Sequence, residues 1–413
     1  MKLFISAAEA SSDAHGAAML KALKTLAGDE AVHAVGVGGP LLIQEGLSAA
    51  VDAREMLSMG LVEALGRLPR LFRALRELER VLEVEKPEVA VLIDYPEFHF
   101  RLAKKLEASQ VPAIYYIPPK VWVWRKGRIQ FLKKFFKKVL SILPFEKEFY
   151  DQHRTPLTYV GNPLVDQLPF QLTREEARKQ LSISVDQKVL VLLIGSRPAE
   201  IREHCSTFLD AALQVAVRLE RQGKVHSGEK LRVNLPLPLT ANFEEVKRKV
   251  QSWRELNLGA PLEIQLTQGD SAIHLRAADV GMIKSGTSTL EAALLGCPHV
   301  IVYQPHWLSN WIFKLLVRYR GPVGLSNLVH SGIADRPRVF KEFLTPAGDP
   351  VAIADEVFRI FTDSKRHAEL LCACDQVKEI VFAPGGSPSL RAAEEVMALV
   401  KATRANSPRG GDS

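Results

Sequence analysis

The chain has 413 residues, of which 47% are hydrophobic and 24% are charged, and its formal net charge is +7. This composition excludes a largely disordered chain and a small disulfide-stabilised domain, and it provides enough apolar side chains for two cores. The positive charge indicates an anionic partner, which is a nucleic acid, a phosphorylated substrate or an acidic membrane surface.

The four cysteines match neither a disulfide framework nor a zinc site, because none belongs to a CxxC pair or has a histidine at zinc-ligand spacing. We therefore expect a reducing compartment and no metal site. We also expect that the protein uses no cofactor. The chain enters a strand-like LFIS directly after Met1-Lys2, without a signal peptide, and it has no apolar run of the ~18 to 20 residues that span a bilayer. These features predict a cytoplasmic protein.

Strand and helix patterns alternate along the first half of the chain. Short apolar runs predict strands at residues 3–7, 32–37, 89–93, 113–117 and 139–143. Ser11-Ser12-Asp13 begins one helix pattern, and leucines on one stripe predict an amphipathic helix over 61–84. Such alternation predicts a doubly wound α/β domain, whose ligands bind beyond the carboxyl ends of the strands. Asp94 and Glu97 follow the third strand at such an end.

A second alternating series begins after a linker at 161–172, where prolines and polar residues interrupt the pattern. Its predicted strands include 189–193, 232–235 and 262–266. We expect two Rossmann-like doubly wound domains that face each other across a cleft. The predicted boundaries are 1–168 for the first domain, 169–350 for the second, 351–403 for C-terminal helices that pack back or are exchanged in a dimer, and 404–413 for a disordered tail.

The stretch from Val280 to Tyr303 predicts a strand, a turn, a helix and a strand in close succession. Its Ser285-Gly286-Thr287 turn brings backbone N–H groups, two hydroxyls and the positive end of a helix dipole to one edge of a sheet, where a pyrophosphate fits. Ser288 and Glu291 also match a capping box, which needs no ligand. The motif alone leaves both interpretations open.

Seven motifs occur in the order in which one enzyme family carries them. They are MGLVEALGRLPRL (59–71), VWVWR (121–125), LPFEKEFY (143–150), VGNPLVD (160–166), GSRPAEI (195–201), SGTSTLE (285–291) and LSNLV (325–329). Each motif is modest alone, but seven in this order are specific. Through them the chain resembles the lipid-A-disaccharide synthases over nearly its whole length.

The resemblance implies a GT-B glycosyltransferase that inverts the anomeric centre without a metal. It would join UDP-2,3-diacylglucosamine to 2,3-diacylglucosamine 1-phosphate (lipid X) through a β-1,6 linkage and release UDP. Motif matches assign UDP-sugar binding in the second domain to Gly195, Ser196, Arg197, Glu200, Ser285, Gly286, Thr287, Glu291 and Asn327. Arg197 and helix N-termini would then offset the negative charge that develops on the departing UDP.

Inversion also requires a base that removes the proton from the acceptor hydroxyl. The family carries an essential acid in an Asp-x-Pro-Asp-Phe segment, which reads Asp94-Tyr95-Pro96-Glu97-Phe98 here. The match assigns catalysis to Glu97, with Asp94 beside it. The residues that alignment with the family places on the acceptor side, whether or not they match its pattern, are Glu9, Ser12, Asp13, Met59, Lys120, Trp124 and Arg125.

Several positions depart from the family pattern, and most lie in the first domain. Glu97 is one methylene longer than the family's Asp, and misplacing a catalytic group by about an angstrom costs on the order of 100-fold. The turn from Ala8 to Asp13 lacks the family's two glycines, and Lys120 ends a Pro-Pro-Lys that replaces Ser-Pro-Ser. The donor side departs at Lys284. A synthase for unusual acyl sugars, a paralogue with another acceptor, a non-catalytic membrane-associated UDP-sugar-binding protein and a UDP-sugar epimerase or hydrolase remain alternatives.

Two segments, 122–138 and 307–320, combine aromatic rings with Lys and Arg, as membrane-surface elements do. Together with lipid substrates they predict peripheral association with the anionic inner membrane, although each segment alone also fits a core helix with a solvated basic side. The sequence contains no helix-turn-helix, RNP or zinc-finger pattern, so we expect no nucleic-acid partner. His99 and His153 are expected to be ordinary polar residues, because neither has a partner at metal-ligand spacing.

Overall fold

The computed structural model describes residues 1–53, 68–123, 127–225, 229–303, 321–333, 337–344, 349–383 and 385–406. The chain divides into two compact units, Met1–Asp166 with Pro384–Ser413, and Gln167–Ala383. Across these described ranges, no helix is long and apolar enough to span a membrane. The same ranges contain no cluster of three His, Cys, Asp or Glu side chains that could hold a metal ion.

The first unit is built on a seven-stranded parallel sheet. Its strands are β1 (Lys2–Ala7), β2 (His33–Gly38), β3 (Leu47–Asp52), β4 (Val89–Ile93), β5 (Ala113–Tyr116), β6 (Lys138–Ser141) and β7 (Leu157–Tyr159). They lie in the order β3-β2-β1-β4-β5-β6-β7, so that the chain winds outward in both directions from β1 and β4. The carboxyl ends of β1 and β4 therefore lie at the switch point of this sheet.

The second unit has a six-stranded parallel sheet. Its strands are β8 (Val189–Leu193), β9 (Leu231–Leu237), β10 (Leu262–Gln268), β11 (Val280–Lys284), β12 (His299–Tyr303) and β13 (Glu342–Leu344). They lie in the order β10-β9-β8-β11-β12-β13, which puts the switch point between β8 and β11. Two parallel-sheet α/β units confirm the fold class that the sequence predicts.

Helices connect the strands and cover the sheets. In chain order they are α1 (Ala10–Ala27), α2 (Pro40–Gln44), α3 (Leu68–Glu85), α4 (Pro96–Ala108), α5 (Arg128–Phe135), α6 (Glu146–Gln152), α7 (Leu164–Gln167), α8 (Arg174–Gln180), α9 (Pro198–Arg221), α10 (Phe243–Leu256), α11 (Ser271–Ala277), α12 (Thr287–Leu294), α13 (Leu325–Ser331), α14 (Pro350–Thr362), α15 (Ser364–Phe382) and α16 (Pro388–Asn406). The capping carboxylate of Asp363, which accepts from the N–H groups of Lys365 and Arg366, separates α14 from α15.

The final helix belongs to the core of the first unit. Ala392, Val396 and Val400 on α16 are fully buried and pack in the cluster that contains β1 and β4. The helix ends in an ion-pair cluster, in which Arg404 lies 2.5 Å from both Glu30 and Glu88. Helical structure therefore continues to Asn406, beyond the start of the tail that the sequence predicts at 404.

The predicted C-terminal segment 351–403 is divided between the two units. Helices α14 and α15 belong to the second unit, where α14 packs against α9 and the strands β11 and β12. Helix α16 belongs to the first unit and packs on α1. The chain thus leaves the first unit after Asp166 and returns to it near residue 384.

Three strands are missing from the sequence-based assignment, and each forms an edge of a sheet. They are β3, β7 and β13. These three strands are short or partly exposed, since β7 and β13 have three residues each and three of the six residues of β3, Ser48, Ala49 and Ala50, are exposed. They therefore lack the continuous apolar run by which the central strands are recognised.

Candidate functional site

A cavity of about 290 Å³ opens at the switch point of the second sheet. It lies beyond the carboxyl ends of β8, β9 and β11, where ligands of doubly wound sheets bind. The residues that line it are Leu193, Gly195, Ser196, Glu200, Pro236, Leu237, Pro238, Gly269, Asp270, Ser271, Lys284, Ser285, Gly286, Thr287, Ser288 and Glu291.

The turn between β11 and α12 supplies one wall of this cavity. Helix α12 begins at Thr287 after Gly286, and no side chain caps its N-terminus. The hydroxyl of Ser285 donates to the carbonyl oxygen of Val323 at 2.9 Å, which fixes the turn. Because the first N–H groups of a helix lack intrahelical acceptors, this end can bind an anion. The capping-box interpretation of Ser288 and Glu291 is therefore not realised.

The turn between β8 and α9 supplies the opposite wall. Gly195 has a φ of +121°, and a Cβ there would lie 2.7 Å from the Cβ of Glu200. The Glu200 carboxylate accepts from the backbone N–H groups of Ser196 at 3.1 Å and Arg197 at 3.4 Å. Glycine is thus required at this turn, and Glu200 holds its shape.

An ion pair connects the two walls. The ammonium group of Lys284 lies 2.8 Å from Oε1 of Glu200, and the two side chains are only 17% and 19% exposed. Glu291 also lines the cavity, and burial raises the pKa of its carboxyl group. The cavity therefore combines an open helix N-terminus with partly desolvated charged groups.

Most of the residues assigned to UDP-sugar binding by motif lie together in this cavity. Those that line it are Gly195, Ser196, Glu200, Ser285, Gly286, Thr287 and Glu291. Arg197 is exposed and does not line it. Asn327 is fully buried, and its amide donates to the carbonyl oxygen of Phe340 at 2.7 Å and to Glu342 at 3.0 Å. The role of ligand contact implied for Asn327 is corrected to that of a scaffold, because its hydrogen bonds are made within the core.

The sequence-based assignment missed two further segments of the lining, Pro236–Pro238 and Gly269–Ser271. Both follow predicted strands, and Gly269 and Asp270 have left-handed φ angles of 81° and 53°. A strand end followed by Pro or by Gly-Asp marks a turn at the ligand-binding edge. That signal was available in the sequence.

In the first unit, Asp94 lies at the switch point, directly after β4. Asp94 and Tyr95 have φ angles of 54° and 45°, which is strained for residues other than glycine. The carbonyl oxygen of Asp94 accepts from the Tyr115 hydroxyl at 2.7 Å and from Nδ1 of His99 at 2.5 Å, which holds the turn. The half-buried carboxyl group of Asp94 has a raised pKa because burial disfavours its charge.

Glu97, the acid that the motif match favours, has a different environment. It is exposed, and both of its carboxylate oxygens lie near Nη2 of Arg128, at 2.9 and 3.1 Å. Its backbone carbonyl oxygen accepts from the side chain of Arg101. A base must be available to the acceptor hydroxyl, and this ion pair competes with that role.

The remaining acceptor-side assignments divide into three groups. Asp13 is buried and has a scaffolding role, because its carboxylate accepts from the backbone N–H groups at the start of α2 at 2.8 to 3.1 Å. Ser12 is buried, and Glu9 is half-buried at the start of α1. Lys120 is exposed, and its positive charge partly offsets the rise in the pKa of Asp94 that burial causes. Met59, Trp124 and Arg125 lie outside the described residues.

His99 is fully buried and takes part in the turn of Asp94. Its Nδ1 donates to the Asp94 carbonyl oxygen, and its Nε2 accepts from the hydroxyl of Ser6 at 2.8 Å. Burial lowers the pKa of His99 to about 4, so the ring is neutral at physiological pH. The expectation of an ordinary polar residue thus omitted a specific contact, which is the support of the Asp94 turn.

Two solved structures show what fold this is. A glycosyltransferase from Rickettsia africae superposes with a TM-score of 0.54 at 12% identity, over 98% of this chain and 99% of its own. A UDP-GlcNAc 2-epimerase from Neisseria meningitidis, solved with UDP-GlcNAc, gives a TM-score of 0.55 at 11% identity, over 97% and 100%. The two parallel-sheet units therefore form the GT-B fold of glycosyltransferases and UDP-GlcNAc epimerases.

Sequence comparison defines the family within this class. The family model described as lipid-A-disaccharide synthetase matches residues 3–381. The lipid-A-disaccharide synthase of Myxococcus xanthus is 35% identical over 399 residues, which cover 97% of each protein. The chain belongs to the lipid-A-disaccharide synthase family and is a glycosyltransferase of lipid A biosynthesis, which confirms the resemblance drawn from the motifs.

Proposed function

We propose that the chain joins UDP-2,3-diacylglucosamine to 2,3-diacylglucosamine 1-phosphate and releases UDP. The oxygen of the acceptor's 6-hydroxyl attacks the anomeric carbon of the donor, while the bond from that carbon to the diphosphate oxygen breaks and UDP leaves with the electron pair. The observation that carries this proposal is the cavity at the second switch point, which joins an uncapped helix N-terminus to the glycine turn before α9.

The donor occupies this cavity in our proposal. The N–H groups at the start of α12 and the hydroxyls of Thr287 and Ser288 hold the diphosphate, because they offer donors without a side-chain cap. The carboxylate of Glu291 accepts hydrogen bonds from the ribose hydroxyls. Pro236 and Pro238 supply apolar surface for the uracil ring.

Asp94 is the general base in our proposal, with Glu97 in a secondary role. Asp94 lies at the ligand-binding edge of the first sheet, it is half-buried, and its raised pKa gives its carboxylate more affinity for a proton. The strained turn at Asp94 and Tyr95 agrees with such a role, because strain of this kind concentrates at functional sites. The ion pair of Glu97 with Arg128 leaves Glu97 less suited.

A turnover assay tests the proposed reaction. The purified chain in detergent receives UDP-2,3-diacylglucosamine with and without 2,3-diacylglucosamine 1-phosphate, and mass spectrometry follows the products. Disaccharide 1-phosphate and UDP in equal amounts, formed only with both substrates, support the proposal. UDP binding without disaccharide would instead favour a paralogue with another acceptor or a non-catalytic binding protein.

Arg197 is proposed to reach the diphosphate from outside the cavity. Its guanidinium group is exposed, so solvent screens its attraction for the phosphates. We expect Arg197→Ala to weaken UDP binding about fivefold, measured by calorimetry, since an exposed ion pair contributes up to about 1 kcal/mol. Unchanged affinity would remove Arg197 from the donor site.

We propose that a basic aromatic surface on α4 and α5 docks on the anionic face of the inner membrane. Phe131 stacks between Phe100 and Phe135, with ring centroids 4.5 and 4.2 Å apart. Exposed Lys133, Lys134 and Lys137 accompany these half-buried rings. Such a mixture of rings and ammonium groups suits the headgroup region.

Two aromatic residues of the same segment do not contribute to this surface. Trp122 is buried, its Nε1 donates to Glu146 at 2.9 Å, and Phe136 is also buried. For them the alternative of a core position holds. The second basic aromatic segment, 307–320, lies outside the described residues.

The double variant Lys133→Gln/Lys134→Gln tests membrane docking. Each lysine near an anionic surface contributes about 1 kcal/mol, so we expect binding to phosphatidylglycerol vesicles to weaken about 30-fold. Vesicle sedimentation measures the effect. The matched control is Lys247→Gln/Arg248→Gln, which removes two exposed charges from α10. Equal weakening by both pairs would show that only net charge matters and would contradict the proposed surface.

We propose exchange of α16 between two copies, one of the two arrangements that the sequence left open. The buried face of α16 completes the first unit, and an exchanged helix would make the same contacts with its partner. Light scattering on the eluting protein distinguishes the 45.8 kDa monomer from a dimer of twice that mass.

A further inference from the structure

We infer that Lys284 binds the diphosphate of the donor, and that its ammonium group leaves Glu200 for the diphosphate when the nucleotide enters. This inference rests on the proposed function, because it takes the cavity to be the site of a UDP-linked sugar. Lys284 is the donor-side position at which the chain departs from the family pattern, so motif matching assigns it no role.

Among the ionisable side chains that line the cavity, acids outnumber bases even with Lys284. All of the lining residues belong to the described part of the chain, and the ionisable ones are three acids, Glu200, Asp270 and Glu291, and one base, Lys284. An entering diphosphate would be repelled by this set unless the ammonium group faced it. Arg197 offers its charge only from the exposed side.

The position of Lys284 brings its charge to the anion-binding turn. Lys284 is the last residue of β11, and the turn to α12 begins at the next residue, Ser285. Lys284 lines the cavity, and its Nζ lies 2.8 Å from Oε1 of Glu200. Thr287 and Ser288 line the same cavity, so in this inference rotation of the side chain carries the ammonium group from the carboxylate to a phosphate bound beside them. The low exposure of Lys284, 17%, strengthens either interaction relative to a surface ion pair.

Glu200 remains stabilised after Lys284 departs. Its carboxylate keeps the hydrogen bonds from the N–H groups of Ser196 and Arg197. It also lies in the first turn of α9, where the helix dipole favours a negative charge. The resting ion pair therefore holds the cation in place without requiring it for the structure of the turn.

Nucleotide binding to the full-length chain tests this inference. Calorimetry measures the affinities of UDP, UMP and uridine for the wild type, Lys284→Met, Lys284→Arg and the control Lys247→Met, an exposed lysine on α10. We expect Lys284→Met to weaken UDP binding about 10- to 100-fold, because a charge-assisted hydrogen bond to the diphosphate is lost. Uridine affinity should change less than about twofold, UMP should be intermediate, and Lys284→Arg should restore most of the UDP affinity.

Several outcomes would overturn the inference. Equal weakening of UDP and uridine would mean that Lys284 only maintains the cavity, and unchanged UDP affinity would remove it from the site. If the wild type binds no UDP, the donor site itself is refuted. If the wild type binds UDP and Lys284→Met binds it equally well, only the role of Lys284 is refuted. If Lys284→Met does not fold, Lys284→Gln, which can still hydrogen-bond to Glu200, serves for the same comparison.

Discussion

Replacing Asp94 with asparagine is expected to lower turnover by about 10² to 10⁴-fold, the range by which general base catalysis accelerates a reaction. The amide nearly matches the shape of the carboxylate and leaves the Asp94 carbonyl oxygen bonded to Tyr115 and His99. It cannot accept the proton of the acceptor hydroxyl. The affinity for UDP should stay within about twofold, because the proposed donor cavity lies in the other unit.

The control for this prediction is Glu97→Gln, three residues along the chain. The carboxylate of Glu97 is exposed and paired with Arg128, so its loss should reduce turnover by less than about tenfold. Steady-state rates with saturating donor provide the comparison. If Glu97→Gln loses all turnover while Asp94→Asn remains active, the general base is Glu97, as the motif match favours.

Glu146 is expected to make the stability of the chain decrease as the pH rises. Its carboxyl group is fully buried, where it accepts hydrogen bonds from Trp122 at 2.9 Å and from the hydroxyl of Ser141. Burial raises the pKa of Glu146 from 4.5 to about 7. The folded state therefore holds a proton that the unfolded chain has released, between pH 4.5 and about 7.

The sign and size of this effect follow from linkage. The folded pKa lies above the unfolded one, so the contribution is fully present below pH 4.5 and is lost as the pH rises to about 7. The free energy of unfolding should decrease by about 3 kcal/mol over this range, at 1.36 kcal/mol per pKa unit. Buried His99, His274 and His299, whose pKa values burial lowers to about 4, act in the opposite direction.

A difference between variants isolates Glu146 from these histidines. Glu146→Gln does not titrate, so its stability relative to wild type should increase by about 3 kcal/mol between pH 5 and pH 8. Guanidinium unfolding at both pH values, followed by tryptophan fluorescence, measures this. Glu148→Gln, an exposed change on the same helix, should show no such trend. A stability difference that is the same at both pH values would contradict the prediction.

The central strands could be predicted from the sequence, because burial on both faces requires a continuous run of apolar residues. Val89–Ile93 and His299–Tyr303 are found at the predicted residues, and the β11 turn was recognised from its Ser-Gly-Thr pattern. The edge strands β3, β7 and β13 lacked this constraint, because β3 is half exposed and β7 and β13 have only three residues each. Motif matching likewise brought seven residues of the cavity together, since a short turn fixes its members relative to one another.

Contacts between residues far apart in sequence could not be read in the same way. The side chain of Asn327 looked available for a ligand, but Phe340 and Glu342 satisfy it in the core. Glu97 stands at the position of the family's catalytic acid, but its carboxylate is paired with Arg128. Trp122 belongs to an aromatic, basic segment typical of membrane surfaces, but its Nε1 donates to buried Glu146. Motif spacing identifies which side chains are present, whereas their partners depend on the tertiary fold.

The return of the chain to the first unit has a consequence for its biosynthesis. The sheet of this unit is translated before Asp166, but the helix that buries Ala392, Val396 and Val400 against it is translated only after the whole second unit. Nascent chains lacking that helix must expose part of an apolar core throughout translation of the second unit. A stop codon near residue 384 should therefore yield an aggregation-prone product, even though it preserves every residue assigned here to the donor cavity.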